Sequence, residues 1–298
     1  MKNTIDILNC YYYAPHNHSI LHRHLDWDLE KMLSLGTDTI SICVQEDGMK
    51  NWHQKRIRNF VKLAKSKGLK VHAVPNRWCG LLAGWLDGFS WWTLENADTW
   101  YEDLPVGFSN PKSDKVQSHY KENLKILLDE FEFDGIIWDE PRPAKPEVIE
   151  FLDEMSEFAK NISREVVISM FADAPKLDLA EIFAKTRHMD YLGSDGHVRS
   201  VDHQMHRMKT TIFEAHAKYY PILEEAKKKT FFLLEGQRHR DEDLENYLEN
   251  LEKAFALPMD HMMYYYSAHE MTYENEQIFN KATWDVVKKI SESRKKSG

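Results

Sequence analysis

Short apolar runs alternate with longer stretches of helical periodicity along the whole chain. The runs are residues 5–13, 39–44, 70–74, 135–138, 165–171, 189–192, 230–234 and 261–267. Each is short, bounded by polar or turn residues and rich in β-branched or aromatic side chains, the pattern of strands buried on both faces. Between them, residues 51–67 place Ile57, Phe60, Val61 and Ala64 on one stripe and stop at Gly68, a residue suited to a helix C-terminus. Residues 114–131 do the same with Val116, Tyr120, Leu124, Leu127 and Leu128. Further helical stretches fall at 145–160, 180–185, 202–226, 241–255 and 282–293.

Strand–helix alternation repeated around eight strands predicts an α/β fold, a closed (β/α)8 TIM barrel occupying residues 1–298 as one domain. An open doubly wound sheet usually places a glycine-rich phosphate loop after its first strand. Here that position holds Ala14-Pro15-His16-Asn17-His18, with no glycine. The one long insertion, residues 76–113, follows strand three, and loops of that length in a compact domain are usually functional.

Composition narrows the function classes. The 298 residues carry a formal charge of −9 and no dense basic stripe, which argues against a phosphate backbone as partner. No run is long and apolar enough for a membrane span, and Met1–Cys10 has no signal-like apolar core, so a cytoplasmic enzyme is the expectation. Cys10, Cys43 and Cys79 are odd in number and lack CxxC spacing, fitting buried thiols rather than a disulfide frame.

Barrel enzymes place their chemistry at the C-terminal ends of strands. Those ends supply His16 and His18, Gln45, Glu46 and Asp47, Asn76 and Arg77, Asp139, Glu140 and Arg142, Asp173, Asp195 and His197, Glu235, Gln237 and His239, then His269 and Glu270. Strand four runs straight into two adjacent acids and Pro141, and strand seven delivers Glu235 followed by Gly236. Two carboxylates facing each other across a barrel mouth meet the needs of glycoside hydrolysis: one protonates the leaving oxygen, the other attacks carbon or activates water. Glu140, Glu235, Asp139 and Asp195 are therefore the candidate catalytic acids. Neighbours on a strand point opposite ways, so one of Asp139 and Glu140 faces the cleft and the other orients it or pairs with Arg142.

The insertion holds five of the nine tryptophans, Trp78, Trp85, Trp91, Trp92 and Trp100, beside Phe89, Tyr101 and Phe108. Flat aromatic faces suit the CH faces of sugar rings, and the same composition suits a small core inside the loop. Trp78, Trp91, Trp92, Trp138, Asn76, Arg77, His16, His18, His197, Gln237 and His269 are the candidate substrate contacts. No cofactor and no metal are assigned. The competing possibilities are a metal-dependent hydrolase built on the His16/His18 pair, which share a strand face at i and i+2, and a carbohydrate-binding barrel without catalysis.

Residues 67–78, the segment from Ser109 through the following helix, and Asp134-Gly135-Ile136-Ile137-Trp138-Asp139-Glu140-Pro141-Arg142 resemble bacterial glycosyl-hydrolase-like barrel families. Those combine a "G-x-x-V-H-A-W" third strand, an "N-P" and a "D-G-I-x-x-D" fourth strand. The resemblance spans roughly residues 50–142 and implies a glycosidase barrel with Asp139 at the strand-four acid. A looser similarity, to retaining glycosidases with "N-E-P" on strand four and "E-G" on strand seven, implies Glu140 as acid/base and Glu235 as nucleophile, with Asp139 standing where those have Asn. The segment departs from the chitinase pattern, since Ile137 occupies an obligatory Asp position.

Overall fold

A computed structural model describes residues 5–13, 22–50, 53–83, 90–104, 107–173, 177–196, 198, 201–202, 207–208, 211–234, 244–267 and 274–297. Eight strands form a closed parallel barrel: β1 (Ile7–Tyr13), β2 (Thr39–Gln45), β3 (Lys70–Asn76), β4 (Gly135–Asp139), β5 (Val167–Asp173), β6 (Tyr191–Gly196), β7 (Lys229–Leu234) and β8 (His261–Ser267). Each strand pairs with its sequence neighbours, and β8 closes on β1 through Ile7↔His261 to Tyr13↔Ser267. The helices are α1 (His22–Ser34), α2 (Gln54–Ser66), α3 (Asp114–Lys125), α4 (Pro146–Ile162), α5 (Leu177–Ala184), α6 (Tyr220–Glu225), α7 (Leu244–Phe255) and α8 (Glu274–Ser297). The (β/α)8 expectation holds.

Three local expectations need correction. Helix α1 was not anticipated, because its sequence is strongly charged and its apolar stripe is short. The predicted helix over 202–226 starts later. A two-stranded hairpin, Val201–Asp202 with Arg207–Met208, comes first. The helical turn Ile212–Glu214 follows, with the Thr211 side chain accepting the Glu214 N–H at 3.1 Å, and a π turn at Ala215–Tyr219 joins it to α6. β6 runs on through Ser194 and Asp195, which pair with β5 and β7. Polar residues at a strand's mouth end hide it from a search for apolar runs.

Alternation along the strands sorts side chains into an outer set packed against helices and an inner set along the axis. Tyr11, Val74, Ile137, Phe171, Tyr191, Phe231, Leu233 and Met263 make the inner apolar cluster. Beneath it lies a polar belt. Ser41 Oγ donates to Asn9 Oδ1 at 2.9 Å, Asn9 Nδ2 meets His261 Nε2 at 3.1 Å, and Ser169 Oγ meets His261 Nδ1 from across the barrel at 3.1 Å. His72 completes the belt, fully buried, its ring edge-on to His261 at 6.1 Å. β4 must open on glycine here: a Cβ on Gly135 would stand 2.5 Å from the His72 ring.

At the amino-terminal rim one contact recurs four times. The residue before each even strand is an aspartate that accepts an amide from the preceding odd strand. Asp38 takes Leu8 N at 3.1 Å, Asp134 takes Val71 N at 2.9 Å, Asp190 takes Ile168 N at 2.8 Å and Asp260 takes Thr230 N at 2.7 Å. In three of them the aspartate's own amide returns to the same residue, to Leu8 O, Val71 O and Ile168 O, and Asp260 N donates to Thr230 Oγ1. Lys65 and Lys160 add ion pairs to Asp134 and Asp190 at 3.0 and 2.5 Å.

An amide-to-carboxylate bond contributes about 1.5–3 kcal/mol. Asp134→Ala is therefore expected to lower the unfolding free energy by about 2 kcal/mol in urea titration, and Lys65→Met by under about 1 kcal/mol; equal losses would contradict the rim assignment. Burial also holds His72 neutral, its pKa down to about 4, and pushes His261 down as well. The unfolded chain binds those protons from about pH 6.5 downward and the folded chain does not. Stability is complete above that pH and falls as pH drops toward 4, by about 3 kcal/mol for His72. Urea midpoints for His72→Leu should decline less steeply between pH 6.5 and 5 than those of the parent, and matching slopes would refute the cause.

Candidate active site at the carboxyl end of the barrel

β4 aims its last residues by simple alternation. Ile137 belongs to the inner cluster, so Asp139, two residues on, shares its inward face; Asp139 is 6% exposed. Trp138 must then point outward, and it does, fully buried, with Nε1 donating to Ser156 Oγ on α4 at 2.9 Å. After Asp139 the ladder gives one more bond, Glu140 N to Phe171 O at 3.0 Å. The chain then turns with Glu140 at φ 40°. The segment beyond β3 lies across this exit: Ala83 N donates to Asp139 O, Arg142 N donates to Leu81 O, and Leu82 bridges Pro141.

Four charges share the spot. Arg142 Nη2 donates to Glu140 Oε2 at 2.5 Å. Arg77, at the exit of β3 with φ 58°, has its pKa lowered by burial and then by Arg142, with Asp139 and Glu140 acting in the opposite sense. Left-handed backbone at a non-glycine residue costs about 1–3 kcal/mol and persists where surrounding structure enforces it, often at functional sites. Arg77 and Glu140 show it at the exits of adjacent strands. Asn76, 3% exposed at the end of β3, has an Oδ1 with no hydrogen-bond partner among the described residues, and Arg77 Nε also has none. A hydroxyl, which donates and accepts, could satisfy either atom.

Tyr11, Cys43 and Tyr265 belong to the same inner layer, and the sequence did not single them out. The Tyr11 hydroxyl lies 2.7 Å from Cys43 Sγ, and its ring is 5.1 Å from Tyr265. Its pKa is raised well above the phenol value, by burial first, then by Cys43 and Asp139. Alternation within the tyrosine runs of β1 and β8 was the available signal. Of the expected buried thiols, Cys10 and Cys79 are buried and Cys43 is half-buried. Asp195, 2% exposed on β6, shares the inward face of Tyr191.

The aromatic candidates divide. Trp78 and Trp138 are corrections: both are completely buried and bonded internally, Trp78 through Nε1 to Val44 O at 3.0 Å, so neither presents a face to a sugar. Trp92 stacks on His119 at 4.2 Å, which occupies one of its faces. Trp91 is 62% exposed. It opens a short helix, Trp91–Glu95, capped by Ser90, and its backbone N–H is bonded by Asp47, whose pKa is raised by burial and then by Glu46. Trp85 and Phe89 lie outside the described residues, as do Glu235, Gln237, His16, His18, His197 and His269. No described helix is long and apolar enough to cross a membrane.

No family model matches this sequence, and no curated protein does. Solved structures with the same architecture include an endo-1,4-β-mannanase from Rhizomucor miehei, with a TM-score of 0.63 at 11% identity over 96% of this chain and 95% of that one. The catalytic domain of a β-amylase from Paenibacillus polymyxa gives 0.64 at 9% identity over 95% and 99%. An α-amylase from Geobacillus thermoleovorans gives 0.59 at 11% identity over 97% and 79%. At such identities the likeness shows a shared (β/α)8 fold, the one the sequence resemblance to glycosyl-hydrolase barrels implies.

Trp138→Ala removes a fully buried ring and is expected to cost about 3–5 kcal/mol of stability. Trp91→Ala should stay within about 0.5 kcal/mol. Urea unfolding of both variants checks the division, and comparable losses would show it to be wrong.

Proposed function

We propose that the protein is a glycoside hydrolase that cleaves O-glycosidic bonds of an oligo- or polysaccharide at the mouth of the barrel, without a cofactor. One observation supports this most. A buried amide oxygen on Asn76, the last residue of β3, and a buried guanidinium N–H on Arg77, which interacts electrostatically with Asp139 and Glu140, have no hydrogen-bond partner among the described residues. Unsatisfied buried groups cost about 1–3 kcal/mol each, and substrate hydroxyls would relieve them. Architectural likeness to mannanases and amylases agrees with a saccharide as the ligand class.

In the proposed mechanism Glu140 is the acid/base and Glu235 the nucleophile. Glu140 gives its proton to the departing glycosidic oxygen while Glu235 attacks the anomeric carbon. Water then enters, returns a proton to Glu140 and releases the sugar with retained configuration. Arg142, bonded to Glu140 at 2.5 Å, must yield that carboxyl when substrate arrives, because a proton donor cannot stay locked to a guanidinium. Asp139 positions the step from beneath, and Asp195 faces the same hollow from β6. Trp91, the exposed tryptophan, offers a stacking face for a sugar away from the point of cleavage.

Glu140→Gln and Glu235→Gln are each expected to cut kcat at least about 100-fold with unchanged circular dichroism. Asn76→Ala should raise KM more than it lowers kcat. Full turnover in both glutamine variants, on a substrate the parent hydrolyses, would remove the mechanism. Saccharide binding by calorimetry with no hydrolysis over a broad glycoside panel would replace it with a binding role.

A further inference from the structure

A second constellation lies between the exits of β2 and β3 and helix α3. Glu46, at the start of a short helix directly after β2 (Glu46–Lys50), is 2% exposed. Cys79, in the 3-10 turn after β3, is 0% exposed, and His119 on α3 is 8% exposed. His119 Nε2 stands 2.8 Å from Glu46 Oε2, and one ligand atom from each of the three residues lies within 4.8 Å of the others. One helical turn after His119, Asn123 is fully buried, with its Nδ2 3.1 Å from His119 Nε2 and its Oδ1 without a partner among the described residues. Amide nitrogen and oxygen exchange places by a half-turn of the side chain, which brings that unused oxygen to the cluster.

We propose that Glu46, Cys79, His119 and Asn123 form a structural zinc site. A thiolate, an imidazole and two oxygens favour zinc over magnesium or calcium, which prefer oxygen alone. Zinc takes such ligands at about 2.0–2.3 Å in a tetrahedron, which sets neighbouring ligand atoms roughly 3.3–3.8 Å apart. The His119–Glu46 contact then opens by about half an ångström, and the widest spacing closes by at most about one. Supporting contacts are in place: the Ser90 hydroxyl donates to Glu46 Oε1, and Trp92 stacks on the His119 ring at 4.2 Å. Such outer contacts fix the orientation of metal-binding side chains.

The Cys79 S–H proton leaves to solvent as sulfur binds the ion, and the proton on His119 Nε2 that faces Glu46 gives way to the tautomer protonated on Nδ1, with no change of oxidation state. Burial, then Glu46, raises the pKa of that thiol, so uptake strengthens as pH rises. The ion would join the exits of β2 and β3 to α3 and hold the short helix bearing Trp91 and Trp92 beside the mouth.

The test refolds the full chain from denaturant with zinc, then with cobalt, for the parent, Cys79→Ser and His119→Gln. The parent should retain one zinc per chain after desalting and gain roughly 5–10 °C in Tm over chelator-treated protein. Its cobalt form should show a near-ultraviolet sulfur-to-cobalt charge-transfer band. Cys79→Ser should lose that band. His119→Gln should bind at least tenfold more weakly; this second variant decides the matter if Cys79→Ser fails to fold. Absence of stoichiometric metal and band in the refolded parent, a band that survives Cys79→Ser, or unchanged affinity in His119→Gln would each overturn the proposal.

Discussion

The structure depends first on register. Each strand shows alternate residues to the barrel axis, so a slip of one residue would exchange the inner and outer sets entirely. Four aspartates, Asp38, Asp134, Asp190 and Asp260, each lock the start of one strand to the start of the strand before it. With the rim fixed, the far end follows by counting. Gly135, Ile137 and Asp139 face inward, and Ile136 and Trp138 face the helices. The amino-terminal rim thus determines which side chains reach the barrel mouth.

The two ends divide the work of the fold. At the amino end the paired carboxylates have backbone amides as partners, and the belt beneath the core is bonded across the axis by Asn9, Ser41, Ser169 and His261. At the carboxyl end the structure retains costs: left-handed backbone at Arg77 and Glu140, and buried polar atoms on Asn76 and Arg77 without partners. The amino end also holds left-handed backbone, at Glu132 and Lys227, and two ring nitrogens of His72 without partners among the described residues; what distinguishes the carboxyl end is that such features gather around the Asp139 and Glu140 carboxyls. The aromatic residues follow the same division. Trp78 and Trp138 support the wall, and Trp91 is left at the surface.

Much of this was legible in the sequence, and the failures have physical reasons. All eight strands showed as apolar runs because parallel barrel strands are buried on both faces. The Asp139–Glu140 step and Asn76–Arg77 were found because they follow such runs directly. Trp138 is excluded by alternation inside β4, since with Asp139 inward it faces the helices; Glu140, left-handed at φ 40°, lies past the end of that alternation. Trp78 was judged by composition, and only the fold reveals that its indole is spent on Val44 O. The four rim aspartates were visible as residues preceding alternate strands, but their common role needs the pairing partners. The meeting of Glu46, Cys79 and His119 joins residues from three elements and has no sequence signal.

The most direct test of the proposed chemistry compares two leaving groups on one variant. Glu140→Ala removes the proposed proton donor. A dinitrophenyl glycoside, whose leaving group departs without a proton, should keep kcat/KM within about tenfold of the parent, with a burst of dinitrophenolate as the glycosyl-enzyme waits for unassisted water, while an unactivated oligosaccharide of the same sugar should lose about 10²–10⁴-fold in kcat/KM. Equal losses on both substrates, or no loss on either, would contradict the assignment of Glu140 as the acid at this barrel mouth.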